Sequence, residues 1–302
     1  MKIIDAHVHI VPETAMGEVD PRFGGCLEPY GFQRLPDGSG YQAMPPWFHD
    51  SRFTPEALIK TMDVYGVEKA VIQQSVLRPM NEAVAAAVKR WPDRLAGAMI
   101  LEPGQRWQEQ LRYWKARGLG AIKFEMRAFS MAWPEIGYDH PWMTEVLELA
   151  GREELTVVFD PAPTDFPVYR PEAFCEAVYR HPQTRVVLCH LGFPAPLETQ
   201  AQREKWSCMI QAARLPNCWV DVSAMPDLFD GEGWPYETPR RLLTQLVEDT
   251  GGERMIWGSD IPGTLCRATY PQMQTMFSRG GLLSQEQLEI LLYRGAKEAY
   301  RL

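Results

Sequence analysis

Eight short apolar, β-branched runs recur along the chain at intervals of roughly 25 to 35 residues, and amphipathic segments fill most of the gaps. The runs are Lys2 to Asp5, Lys69 to Gln73, Leu95 to Leu101, Ala121 to Glu125, Leu155 to Asp160, Arg185 to His190, Cys218 to Val222 and Met255 to Asp260. Helical periodicity covers Pro55 to Tyr65, Asn81 to Arg90, Trp107 to Ala116, Trp142 to Gly151, Pro171 to Tyr179, Thr199 to Arg214 and Pro239 to Asp249. Parallel strands need a long crossover, usually a helix. Eight strand-helix units therefore predict a (β/α)8 TIM barrel, for which 302 residues is an ordinary length. The competing open, doubly wound sheet usually has a Gly-rich phosphate turn after its first strand, and none is present. One domain over residues 1–302 is expected, closed by helices at Tyr270 to Ser278 and Ser284 to Tyr300.

The first interval breaks the rhythm. Residues 11–53 are rich in Pro and Gly and show no sustained period, yet Tyr30, Phe32, Tyr41, Trp47 and Phe48 supply apolar mass. A structureless segment of this length inside a domain is unusual, so an ordered, lid-like insertion after strand 1 is expected.

The net charge of −8, with no basic run, argues against nucleic acid as a partner. Six dispersed cysteines without a C-x-x-C pair fit a reducing compartment. The N-terminal apolar run is too short for a signal peptide, and no stretch approaches the roughly 18 apolar residues of a membrane span. A cytoplasmic protein with a small-molecule substrate, and no membrane partner, is the expectation.

Polar residues gather at the predicted strand ends. In Asp5-Ala6-His7-Val8-His9, alternation points His7 and His9 the same way, offering a divalent metal two nitrogens from one strand. On its own H-x-H is a weak motif. However, His190, Asp160 and Asp260 also close their runs, at the face where barrel active sites lie. The plainer reading makes His190 a core histidine and the two aspartates caps. In the fourth run Lys123, Glu125 and Arg127 alternate on one face, so that Glu125 is a ligand or base partnered by Lys123, or the group is a rim ion pair. Arg22, Arg34 and Arg52 lie among the insertion's aromatics, and Arg78 and Arg127 follow strands. Arginine forks bind carboxylates, so a small ring-like or carboxylated substrate is expected, with Lys123, Glu125, Arg127, Arg52 and Trp47 as contacts.

Four stretches together carry a resemblance: Ile4-Asp5-Ala6-His7-Val8-His9, Met62-Asp63-Val64-Tyr65-Gly66-Val67-Glu68-Lys69-Ala70-Val71, Cys189-His190-Leu191-Gly192 and Trp257-Gly258-Ser259-Asp260-Ile261-Pro262. The chain resembles the amidohydrolase superfamily, in the branch holding aminocarboxymuconate-semialdehyde decarboxylase, resorcylate-type decarboxylases and several lactonases. The resemblance implies one divalent metal, Zn²⁺ or Mn²⁺, held by His7, His9 and Asp260. His190 would then polarise the substrate or position water. At the fifth strand, where many members carry a histidine, this chain has Asp160, which would be a further, harder ligand. The closing helix departs too, with Arg294-Gly295-Ala296 where the family often has Gly-Asn-Ala.

The implied reaction is hydrolysis of an amide or lactone, with Asp260 moving the proton. The alternative is non-oxidative decarboxylation of an aromatic or enol carboxylate, with Asp260 protonating carbon. A metal-free lactonase and a non-catalytic binding barrel are further readings, and the resemblance suggests a homodimer.

Overall fold

The computed structural model describes residues 1–12, 17–18 and 22–302, with only the backbone of Gly17 and Glu18. Residues 13–16 and 19–21 of the expected lid lie outside the described residues. Strand β1 (Ile4–Val8) precedes four short strands, β2 (Gly17–Glu18), β3 (Cys26–Leu27), β4 (Phe32–Arg34) and β5 (Gly40–Gln42). Then come β6 (Lys69–Ile72), β7 (Leu95–Ile100), β8 (Ala121–Glu125), β9 (Thr156–Asp160), β10 (Arg185–Leu188), β11 (Cys218–Val222) and β12 (Met255–Trp257). Strands β1 and β6 to β12 form one parallel sheet in sequence order, the (β/α)8 barrel that the sequence predicts. At the seam, β1 and β12 are joined by the Val8–Ile261 bridge, by His9 N donating to Ile261 O (2.7 Å) and by Asp260 N donating to His7 O (2.7 Å).

The helices are α1 (Pro55–Tyr65), α2 (Asn81–Arg90), α3 (Trp107–Ala116), α4 (Met126–Ala132), α5 (Pro141–Arg152) and α6 (Pro171–Arg180), then α7 (Gln200–Ile210), α8 (Met225–Leu228), α9 (Glu237–Thr250), α10 (Tyr270–Thr275), α11 (Gln285–Glu289) and α12 (Gly295–Tyr300). Local signals set their ends. Thr54 caps α1, with Pro55 in its first turn and Gly66 in the left-handed conformation past its end, while α7, α10 and α11 each open with a capping box. None is long and apolar enough to cross a membrane among the described residues.

Alternation sorts each strand into two faces. In β8, Ile122 and Phe124 point outward into the helical layer, while Ala121 joins Ile4, Ala6, Val71, Ala98, Val158, Val187 and Ile256 in a separate cluster inside the barrel. Phe124 stacks on Phe159 of β9 (5.5 Å between centroids), each edge-on to a further ring, and such pairs add about 0.5–1.5 kcal/mol beyond burial. Their packing holds the register that sets Glu125 beside Asp160 at the barrel mouth.

Helix α12 forms the floor. Ala296, Ala299 and Tyr300 join the interior cluster, the Ala299 carbonyl accepts from Thr156 Oγ1 (2.6 Å), and Gln73 Nε2 donates to the Tyr300 hydroxyl (3.0 Å). Gly295 permits this approach, because a Cβ there would sit 1.9 Å from Met255 O. The closing segment, expected as one helix over Ser284 to Tyr300, is α11 and α12 joined by a π-helical turn over Ile290–Arg294.

Within the insertion, β2 to β5 form a four-stranded antiparallel sheet. It supplies part of the wall at the barrel mouth.

Candidate active site

His7 lies within β1 and His9 just past it, and both rings turn toward Asp260 from the far side of the seam. The His9 Nε2–Asp260 Oδ1 distance is 2.9 Å, and His7 Nε2–Asp260 Oδ1 is 3.7 Å. Gly258 makes room for His7, since a Cβ there would come within 2.5 Å of the His7 Cβ. On its other edge, His7 Nδ1 lies 2.6 Å from Asp221 Oδ2. We assign a proton to Nδ1, donated to that carboxylate, which leaves the Nε2 lone pair facing His9 and Asp260. Burial first, and then the Lys123 charge, hold the His7 pKa well below its ordinary value, so the ring is neutral.

The donor atoms of His7, His9 and Asp260 all lie within 4.8 Å of one another. A neutral imidazole oriented by a carboxylate, a second imidazole and a carboxylate suit a divalent ion, so these residues fit the metal expected from the sequence. A deeper set, His7, Cys189 and His190, is equally close. Its sulfur is already engaged by the Lys123 ammonium (3.2 Å), and burial pushes the thiol pKa well up, so it is the poorer donor set.

His190 stands beside the cluster, its ring 4.8 Å from that of His7. Its Nδ1 is 3.0 Å from Ser223 Oγ, and its Nε2 is 3.6 Å from Asp160 Oδ2. Burial disfavours charge on His190, but the Asp160 and Asp260 carboxylates together outweigh it and raise the pKa. Asp160 moves the other way: burial opposes ionisation, and His190 with Lys123 holds its carboxyl below the usual range. Asp260 likewise stays below the usual carboxylate range against its burial, with His9 Nε2, 2.9 Å from its Oδ1, as its hydrogen-bond partner. His190 (φ 56°) and Asp260 (φ 59°) both hold left-handed backbone, a strained conformation for residues other than Gly and one that recurs at functional sites.

The sequence-predicted residues separate in space. Asp160, expected as a ligand, is set against His190, outside the three-donor cluster. Lys123 is buried inside the barrel, its ammonium 3.2 Å from Cys189 Sγ. Trp47 is 69% exposed and Arg52 pairs with Asp50 (3.1 Å), and neither lines the cavities at the mouth. Those cavities, of about 480 and 720 Å³, share Gln33, Tyr41, Leu77 and Glu125 as a partition. His9, Asp260 and Arg78 line the first, while Asp160 and Arg127, which lies over the Phe166 ring, line the second. Glu125 lines the first cavity with His9 and Asp260 but is not one of the three grouped donors. Its Oε2 accepts from Ser75 Oγ (2.6 Å) and Val76 N (3.2 Å), which ties down the turn after β6.

Sequence reasoning missed Asp221, Ser223, Asp227 and Gln33. For Asp221 a signal existed, because a carboxylate within the apolar strand Cys-Trp-Val-Asp-Val, on the face that alternation turns inward, needs a partner. Asp227 follows the seventh strand in α8 and lines the first cavity, and burial followed by the Asp260 charge pushes its pKa up to about 7.

Comparisons with known proteins agree with the fold. The chain is similar in fold to a probable 2-pyrone-4,6-dicarboxylic acid hydrolase from Acinetobacter baumannii solved with citric acid bound (TM-score 0.75, 17% identity, 100% of both chains covered). It is also similar to a zinc-bound amidohydrolase from Burkholderia multivorans (TM-score 0.71, 17% identity, 100% of both chains). A third relative in fold is 5-carboxyvanillate decarboxylase from Sphingomonas paucimobilis (TM-score 0.59, 15% identity, 87% of both chains). No curated protein sequence matches the chain. The amidohydrolase family profile matches residues 4–302, and the chain belongs to that family.

Proposed function

We propose that the protein is a metal-dependent hydrolase of a small cyclic or carboxylated substrate, a lactone or an amide. The observation that carries this reading is the convergence of His7, His9 and Asp260 on one point beside the His190–Asp160 pair. His7, His9 and Asp260 would hold the ion, with Asp221 orienting His7. When bound, a divalent ion supplies Lewis acidity toward a carbonyl and lowers the pKa of water.

The chain's own groups divide the remaining work. Asp260, ionised and only partly exposed, takes the proton of the attacking water at its carboxylate and returns it to the leaving oxygen or nitrogen. His190, with its pKa raised by Asp160, donates a hydrogen bond to the substrate carbonyl oxygen as negative charge builds there. The insertion walls off water with Leu27 and Tyr41 of its sheet and Met44 just past it. Two fold relatives are named for carboxylated substrates, a pyrone dicarboxylic acid and a carboxyvanillate, which supports a carboxylated substrate here.

Elemental analysis of the purified protein, followed by a screen of carboxylated lactones, amides and hydroxybenzoates, tests the reading. One equivalent of metal, lost in His7→Ala, with acid formed from a lactone or amide, is the expected result. Carbon dioxide as the only product would make the protein a decarboxylase, with Asp260 delivering its proton to carbon. Folded, metal-free protein that still opens lactones would overturn the metal's role.

A further inference from the structure

The Arg78 guanidinium is held ready for a ligand by two independent supports. Its backbone sits in a tight turn, with Arg78 N donating to Ser75 O (3.1 Å), and Glu125 fixes that turn through Ser75 and Val76. Its side chain is fixed from the insertion, where Gln33 Oε1 accepts from Arg78 Nη2 (2.5 Å). Gln33 is itself buried and anchored by its Nε2, which donates to Arg34 O (2.9 Å). The charge is thus aimed by contacts to neutral groups.

The other arginines singled out in the sequence are differently employed. Arg22 is bonded to Glu102, Arg34 to Glu28 and Arg52 to Asp50, while Arg127 is exposed and lies over Phe166. Arg267, also on the first cavity, is taken by Asp230 (2.6 Å). Arg78 pairs with no carboxylate among the described residues, it is half-buried, and its Nε is fully buried without an acceptor. An unmatched buried donor is costly, and a guanidinium presents two parallel N–H groups to a carboxylate. Arg78 lines the cavity that also holds His9 and Asp260.

We infer that Arg78 is the specificity residue that anchors a carboxylate of the substrate, with Gln33 as its positioning residue. This rests on the reading of the first cavity as the substrate site. The substrate class it selects is a small ring bearing an ionised carboxylate separate from the bond that is cleaved. Neutral analogues lose this contact and leave the Arg78 donors unmatched, a combination that discriminates far more strongly than a missing methylene does.

Binding, not turnover, tests the inference. Metal-loaded protein is titrated calorimetrically with 3-hydroxybenzoate and with 3-hydroxybenzyl alcohol, a matched pair that hydrolysis cannot open. The wild type is expected to bind the carboxylate about 10- to 100-fold more tightly. Arg78→Met removes that preference without changing affinity for the alcohol, at unchanged metal content and melting temperature. Arg78→Lys keeps the charge and the fold but lacks the planar fork, so it retains only part of the preference. A preference that survives in both variants, or is absent from the wild type, overturns the inference. An Arg78-dependent preference in a protein that opens no lactone or amide overturns the hydrolase reading and leaves this one standing.

Discussion

Asp221→Asn tests the metal centre from its outer side. Asp221 is fully buried, its Oδ2 accepts the His7 Nδ1 proton at 2.6 Å, and its Oδ1 has no hydrogen-bond partner among the described residues. Burial pushes its pKa up to about 6, so in the metal-free protein the carboxylate is a net burden. Replacing such a partner of a ligating histidine lowers metal affinity about 10- to 100-fold, or about 1.4 to 2.7 kcal/mol. Ser223 Oγ, 3.3 Å from the same nitrogen, can take over part of the orienting role, which favours the lower half of that range. The metal-free protein should be no less stable than wild type, because a buried charge has been removed. Competition against a fluorescent chelator gives the affinity, and melting curves with and without chelator separate the two effects. An affinity within about twofold of wild type, or equal destabilisation of the metal-free and metal-loaded forms, would refute the argument.

Other perturbations have equally definite outcomes. Asp260→Asn should reduce turnover by at least about 100-fold in folded protein, measured as acid release, because it removes both a ligand and the proton carrier. Gly258→Ala should push His7 aside, weakening metal binding and lowering stability by about 1–3 kcal/mol in urea unfolding. Asp5 accepts from Ser259 N (2.8 Å) and the Tyr270 hydroxyl (2.7 Å), yet burial dominates and raises its pKa to about 7. The folded state therefore binds this proton more tightly than the unfolded chain, so the contribution is full below pH about 4 and lost as pH rises through about 7. In metal-free protein, Asp5→Asn should flatten the fall in stability between pH about 5 and 7, and an unchanged slope would exclude Asp5 as its source.

The barrel was legible in the sequence because β-branched runs and amphipathic helices have different periods and alternate along the chain. The insertion sheet was not, because strands of two or three residues carry no period. Helix α4 was also missed, since it begins directly from the last residue of β8 and has no cap. His7, His9 and Asp260 could be placed together because strand ends converge on one face. Asp160 was assigned by its position at a strand end, whereas its actual neighbour depends on where the His190 ring turns, a tertiary fact. The supporting residues Asp221 and Gln33 touch the site from 214 residues beyond His7 and from 45 residues before Arg78, distances over which a single sequence gives no pairing signal.

The seam between β1 and β12 also gives the site a part in assembly. His7 comes from the first strand, His9 from just past its end and Asp260 from the segment after the last, so the donor cluster cannot exist until the ring has come full circle. An ion bound there would act as a clasp across the junction that the backbone holds with one bridge and two hydrogen bonds. Ligands that favour the native state add stability in proportion to the logarithm of their concentration over Kd. Metal occupancy in this chain would therefore report barrel closure as well as readiness for chemistry.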